Sequence, residues 1–133
     1  MKIILNSALL ALAFLIADIS ISSGSDMVTV IQADNGKAIT VKSGDIIRIE
    51  LAEQGSTGYL WQFDDLDRRF FDLIDVATEK THKENGFTGG PVLKKWRLMA
   101  KKPGKSTIYL HYFRPWEDKS KAAGTFVLPV RIK

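Results

Sequence analysis

The chain has 133 residues and carries 19 basic against 15 acidic side chains, a formal charge of +4. This length fits one domain with a short additional segment, and the lack of any cysteine excludes disulfides and thiol nucleophiles. The lysines are spread along the chain and form only the pairs Lys94-Lys95 and Lys101-Lys102. Because a nucleic-acid binder usually has a concentrated basic stripe, we expect no nucleic-acid partner.

Residues 1–24 have the order of a secretory signal peptide. Lys2 is followed by an apolar run from Ile3 to Ile16 and then by small residues. The run is shorter than the roughly 20 residues of a membrane-spanning helix, although an uncleaved anchor is the alternative. We therefore expect a signal peptide at 1–24 and a mature domain at 25–133. We also expect export to the periplasm or the medium, with cleavage after Ser22, Ser23 or Gly24. The cleaved protein should have no stable membrane insertion.

Short extended segments with period-2 alternation follow one another through the mature domain. The clearest are Ile47, Ile49 and Leu51, the aromatic series Tyr59, Trp61 and Phe63, and the final series Phe126, Leu128, Val130 and Ile132. Turn signals separate these segments, and no long amphipathic helix is evident. The pattern predicts an all-β domain of about seven strands, built as a sandwich or barrel.

Three local expectations accompany this strand pattern. Residues 64–71 are charged and have room for a helical turn. Residues 77–90 show almost no apolar pattern and predict a long loop of functional type. Pro129 lies inside the last strand, which predicts an edge position or a bulge there.

The residues that carry most enzyme chemistry are missing from this sequence. Its two histidines, His82 and His111, have no patterned partner, and no metalloprotease, P-loop or dinucleotide motif is present. The acidic run of residues 64–67 lacks the spacing of a dedicated calcium site. We therefore expect no enzyme activity and no cofactor.

Three loops stand out between the strands. The first, from Glu53 to Tyr59, is small, polar and flanked by glycines, so that its backbone can approach a partner closely. The second is Gly86-Phe87-Thr88-Gly89-Gly90. The third, Arg114-Pro115-Trp116-Glu117, places a proline and a tryptophan between opposite charges, and Trp and Arg are enriched at binding hot spots. The alternatives are plain hairpin turns for the first two, and for the third a Trp116 folded against the sandwich with Arg114 paired to Glu117.

In this order the loops resemble the motifs of the chagasin family of cysteine-protease inhibitors, which are NPTTGY, GxGG before an aromatic strand residue, and RPWE. The third motif is complete at residues 114–117, behind Tyr112. In the first motif, residues 57–59 match and Ser56 is a conservative replacement, but Gln54-Gly55 stands where the family has Asn-Pro. In the second, Gly89-Gly90 match, Gly86 is offset, and Trp96 fits the following strand. The resemblance spans residues 28–133.

The resemblance implies an immunoglobulin-like β-sandwich that reversibly inhibits papain-like cysteine proteases and is a monomer when free. It implies that all three loops lie at one end, that the first enters the active-site cleft, and that the other two grip the enzyme on either side. The implied protease-binding residues are Gln54, Gly55, Ser56, Thr57, Gly58, Tyr59, Phe87, Thr88, Gly89, Gly90, Arg114, Pro115, Trp116 and Glu117. The alternative is an exported adhesion or carbohydrate-binding module with Trp61, Tyr112 and Trp116 as stacking groups.

Overall fold

Two four-stranded sheets account for nearly all regular structure in the computed structural model, which describes residues 25–80 and 90–133. Within these ranges the chain forms eight strands rather than about seven. They are β1 Met27–Ile31, β2 Ile39–Val41, β3 Ile46–Gln54, β4 Leu60–Phe63, β5 Phe71–Lys80, β6 Pro91–Ala100, β7 Gly104–Phe113 and β8 Gly124–Ile132. Two single 3-10 turns, Gln32–Asp34 and Lys119–Lys121, are the helical segments of the described chain, and neither is long or apolar enough to cross a membrane.

The first sheet has the strand order β1-β3-β6-β5 and the second has the order β2-β8-β7-β4. β1 is parallel to β3 and β2 is parallel to β8, whereas all other neighbours are antiparallel. The all-β sandwich prediction is therefore confirmed. The predicted signal peptide lies outside the described residues.

The core lies between the sheets and is filled by the alternating residues of the sequence pattern. Ile47, Ile49 and Leu51 of β3 are fully buried, as are Phe126 and Leu128 of β8. Each such side chain contributes about 1.5–3 kcal/mol through removal of its apolar surface from water. The alternation in β3, β7 and β8 therefore determines which face of each strand points inward.

β5 continues four residues beyond the point where a loop is predicted to begin. Residues 77–80 pair with β6 from Ala77 opposite Lys95 to Lys80 opposite Val92, although every side chain from Ile74 to Lys80 is exposed. Because this part of β5 buries nothing, it leaves no apolar period in the sequence. Its ladder of backbone hydrogen bonds and the 2.8 Å ion pair between Lys95 and Glu79 hold it instead.

The predicted bulge at Pro129 is absent, because the pairing of β8 with β7 runs without a shift of register; β8 as a whole lies between β2 and β7, but Pro129 itself has an unpaired, edge-like side toward β2. The three-residue β2 begins its pairing with β8 at Val130. Pro129 thus lies one residue before that ladder, where its missing N–H interrupts no strand pairing.

Residues 64–71 form no helix but close one turn, in which Asp67 O accepts the N–H groups of Phe70 and Phe71, both at 3.1 Å.

Strand register brings the connections of interest to one end of the sandwich. In the first sheet, Gln54 at the end of β3 lies opposite Pro91 at the start of β6. In the second sheet, Leu60 and Phe113 are opposite each other, as are Tyr112 and Gly124. The connections at residues 55–59 and 114–123 therefore leave the sheets at the same end, which also holds Lys80, Gly90 and the start of β6 and which we call the loop end.

A buried carboxylate holds the opposite end together and predicts a pH dependence. Asp45 accepts the N–H of Asp26 at 3.0 Å and the N–H of Lys42 at 2.8 Å, and these bonds lower its pKa. Because the native pKa is lowered, its stabilisation is complete above about pH 4 and is lost as the pH falls through the native value. We expect Asp45→Ala to lower the free energy of unfolding by about 1–3 kcal/mol at pH 7, measured by urea denaturation.

The difference between wild type and Asp45→Ala should shrink toward pH 2.5. A difference that stays constant from pH 7 to pH 2.5 would show that the carboxylate does not stabilise the native state through these bonds.

Candidate functional site

The first loop is a tight turn organised by Thr57. Its N–H and its hydroxyl both donate to Gln54 O, at 3.2 and 2.9 Å, and its Oγ1 accepts the N–H of Tyr59 at 3.3 Å. Gly58 follows with φ +84°, a left-handed conformation that favours glycine. Ser56 lies exposed at the tip. The turn therefore presents small side chains and backbone to solvent.

The third loop closes as a four-residue turn in which the Glu117 N–H donates to Arg114 O at 2.8 Å. Pro115 occupies the second position, where its fixed φ suits such turns. Arg114 pairs with Glu117 at 3.8 Å, as the structural alternative expects. The other half of that alternative is wrong, because 71% of the Trp116 surface remains exposed and the indole does not cap the sandwich.

The first and third loops are in direct contact. Arg114 Nε donates to Thr57 O at 3.0 Å, and the guanidinium lies 4.5 Å from the centre of the Tyr59 ring. A Cβ on Gly58 would lie 2.5 Å from the outer edge of the Trp116 indole, so the indole covers this glycine. The two loops therefore form one continuous surface, which we call the paired-loop surface.

Stacked aromatic rings connect the paired-loop surface to the core. Tyr112 lies between Tyr59 and Trp61, with ring centres 5.3 and 4.9 Å away. Its hydroxyl accepts the N–H of Gln54 at 2.8 Å, which fixes the start of the first loop. Trp61 is buried and donates its Nε1–H to the Ala52 carbonyl at 3.0 Å. The exposed residues thus rest on a rigid base.

Two further residues belong to this region, neither of them among the predicted binding residues; one is Glu53, which was predicted to begin the first loop but lies inside β3. Glu53 is 4% exposed, accepts the Trp61 N–H at 2.8 Å and lies 3.6 Å from Lys94 Nζ. Leu60 is 37% exposed beside the first loop. The period-2 pattern contains both positions, since Glu53 continues the inward series of β3 and Leu60 is the outward neighbour of Trp61.

The predicted second loop is described only at its last residue. Phe87, Thr88 and Gly89 lie outside the described residues, and their predicted role stays a prediction. Gly90 directly precedes β6, is half-buried, and has open space around the position of a Cβ. The described chain therefore brings together residues 54–59 and 114–117, with Gly90 at the same end of the sandwich.

His111 has a partner that the sequence did not reveal. Its Nε2 lies 3.0 Å from Asp64 Oδ2 and its Nδ1 lies 3.3 Å from Thr125 Oγ1. Lys119 donates to the other oxygen of Asp64 at 2.7 Å, and the hydrogen bonds from Lys119 and His111 lower the pKa of Asp64. This cluster ties the third connection to the β4–β5 turn. Across residues 25–80 and 90–133 no group of three potential ligands is arranged for a metal ion.

Comparison with known proteins gives a consistent result. The sequence model of the chagasin family of peptidase inhibitors, family I42, matches residues 40–130 of this chain. Amoebiasin-2 of Entamoeba histolytica is 30% identical over 102 residues, which cover 77% of this chain and 82% of amoebiasin-2. The crystal structure of EhICP2, a cysteine protease inhibitor from Entamoeba histolytica, gives a TM-score of 0.75 at 24% identity, over 84% of this chain and 100% of that chain.

A third similar protein is PbICP-C in its structure in complex with falcipain-2, with a TM-score of 0.50 at 24% identity over 85% of this chain and 94% of that chain. These matches define a peptidase inhibitor built on an immunoglobulin-like β-sandwich. The chain belongs to the chagasin family. The resemblance seen in its three loop motifs is thereby confirmed, while the roles of the individual loop residues stay predictions.

The contact between the two loops makes Arg114 a testable positioning residue. Arg114→Ala removes the hydrogen-bond donor to the Thr57 carbonyl and the guanidinium that lies against the Tyr59 ring. We therefore expect the free energy of unfolding to fall by about 1 kcal/mol. Amide exchange at Thr57 and Tyr59 should accelerate at least fivefold, measured by hydrogen–deuterium exchange with NMR detection. The matched control is Lys121→Ala, which removes an exposed cation from the same connection. Unchanged exchange at Thr57 and Tyr59 would contradict a positioning role.

Proposed function

We propose that the protein inhibits papain-like cysteine proteases by placing its loop end in their active-site cleft, reversibly and without being cleaved. The observation that carries this proposal is an exposed indole on a fixed support: Trp116 lies over Gly58 while most of its surface faces solvent. Family membership supports it, as do EhICP2, described as a cysteine protease inhibitor, and PbICP-C, seen in complex with falcipain-2.

The two described loops have different roles in this proposal. Ser56, Thr57 and Gly58 lie over the catalytic cysteine of the protease, because their small side chains let the backbone fill the cleft. Trp116 binds an apolar surface beside the cleft, and Leu60 extends the apolar area on the same end. Residues 87–90 contact the opposite wall. Such an interface buries on the order of 1,600 Å² in total.

Rigidity is the energetic basis of the inhibition. Ordering a flexible side chain on binding costs about 0.5–1.5 kcal/mol. Here the loop bonds of Thr57, the Arg114 contact and the Tyr112 stack already exist in the free protein. The association therefore retains most of the free energy gained from burying Trp116.

The remaining expectations form part of the same proposal. The chain is a monomer without cofactor or enzyme activity when free, and residues 1–24 direct its export. Expression of the full chain in a bacterial host should yield periplasmic protein whose N-terminus follows Ser22, Ser23 or Gly24. Uncleaved protein in the membrane fraction would contradict the export proposal but would not bear on the proposal that the protein inhibits proteases.

The structure gives less support to a carbohydrate-binding module. That function requires Trp61, Tyr112 and Trp116 in an accessible row on a sheet face. Trp61 is buried, and Tyr112 is covered by the rings of Tyr59 and Trp61. Only Trp116 of the three presents most of its surface to solvent, and it lies in a loop.

Titration of papain with the purified mature domain, residues 25–133, tests the proposal directly. Hydrolysis of a fluorogenic peptide should fall to background with a reversible inhibition constant below micromolar. Several papain-like proteases should be included. An absence of inhibition of all of them at micromolar inhibitor would exclude the proposed function.

Trp116 should contribute to affinity rather than to folding. Because its indole is largely exposed in the free protein, we expect Trp116→Ala to raise the inhibition constant at least tenfold and to change the melting temperature little. The matched control is Trp61→Phe, which changes a buried indole and should lower stability. A collapse of the melting temperature in Trp116→Ala would identify Trp116 as a folding residue instead.

Gly55→Pro should tighten inhibition. Residue 55 is the second position of the Gln54–Thr57 turn, where proline is favoured, and Gln54 before it is extended. A proline there reduces the freedom of the unbound loop. We expect a severalfold lower inhibition constant with an intact fold. An unchanged or higher constant in a folded variant would show that Gly55 does not limit affinity.

A further inference from the structure

Two cations lie side by side on the outer face of the second sheet, away from the loop end. Lys105 of β7 is directly opposite Arg131 of β8, and Arg131 is also opposite Thr40 of β2. Val130 and Ile132 point into the core, so Arg131 points outward. Ile108 is buried in the same way, which places Lys105 and Thr107 outward. Three donors therefore form a row across three strands.

Neither cation has a carboxylate partner in the part of the chain that the structure describes. Among the described residues, no Asp or Glu oxygen lies within 4.0 Å of Lys105 or Arg131. Like charges placed directly opposite each other destabilise a sheet. On the outer face of the first sheet the cations are compensated, since Arg48 pairs with Glu50, Lys95 with Glu79 and Arg97 with Asp75. The pair on the second sheet, which has no such partner among the described residues, is therefore free to bind an external anion.

The pair borders a groove of suitable chemistry. The groove has a volume of about 350 Å³, and its lining includes Ala38, Thr40 and Thr107 together with Pro129 and the two cations, but no acidic residue. The hydroxyls of Thr40 and Thr107 add neutral donors beside the charges. This set of groups matches a tetrahedral oxyanion.

We propose that this groove binds a phosphate or sulfate group. Arg131 supplies two parallel N–H donors to two oxygens of the anion, Lys105 supplies a point charge, and the threonine hydroxyls donate to the remaining oxygens. The groove lies near Gly104 and Ile132, at the far end of β7 and β8 from Phe113 and Gly124. A bound anion therefore leaves the loop end free, and the protein holds an anionic group and a protease at the same time.

Calorimetric titration with inorganic phosphate, at constant ionic strength set by sodium chloride, tests this site. We expect Arg131→Gln and Lys105→Gln each to weaken phosphate binding at least tenfold. The matched control is Arg68→Gln, which removes an exposed cation elsewhere and should bind phosphate like the wild type. Equal phosphate affinity in the wild type and Arg131→Gln, or an equal loss in Arg68→Gln, would overturn the proposal.

The source of the phosphate group is distinguished in a parallel experiment. Vesicles of phosphatidylcholine with phosphatidic acid, and vesicles of phosphatidylcholine alone, are sedimented with the protein. Binding to the acidic vesicles that Arg131→Gln abolishes identifies a lipid headgroup, whereas calorimetric binding of free phosphate alone identifies a soluble anion. In chloride without phosphate, Lys105→Gln should raise the melting temperature, because it removes the like-charge contact; a fall would contradict that repulsion.

Discussion

The Arg114 guanidinium is the contact on which the shape of the loop end depends. It donates to the Thr57 carbonyl at 3.0 Å and covers the Tyr59 ring, so that the third loop is held against the first. Tyr59 then stacks on Tyr112, and Tyr112 lies against the buried Trp61. Through this series of contacts two solvent-exposed loops acquire the rigidity of the core.

That rigidity keeps the apolar indole of Trp116 exposed to water, an arrangement that is otherwise unfavourable. An indole that is 71% exposed retains a large apolar area in water, and such patches on soluble proteins mark interaction sites. Gly58 is essential to this arrangement, because its φ of +84° and its missing Cβ leave the space that the Trp116 ring occupies. The TGY and RPWE motifs are thus two halves of one packing arrangement.

The sequence predicted an all-β sandwich or barrel because its core strands alternate strictly, as in β3 and β8, and the resemblance implied the sandwich. It did not predict the outer half of β5, whose exposed side chains carry no apolar period, or the topology around Pro129, which depends on how short β2 is. Within the site, the motifs identified the loops, and the resemblance implied their common end. The Arg114–Thr57 bond and the His111–Asp64 contact join residues 57 and 47 positions apart. Pairings of that separation are set by the fold and leave no local pattern.

The central claim is that the paired-loop surface covers the catalytic cysteine of a papain-like protease. The most direct test is the rate at which iodoacetamide alkylates that cysteine in papain, measured by mass spectrometry with and without saturating inhibitor. We expect saturating inhibitor to slow alkylation at least tenfold, and Trp116→Ala at the same concentration to protect much less. Alkylation at an unchanged rate in a complex that has lost peptide hydrolysis would place the inhibitor away from the catalytic cysteine and contradict the account.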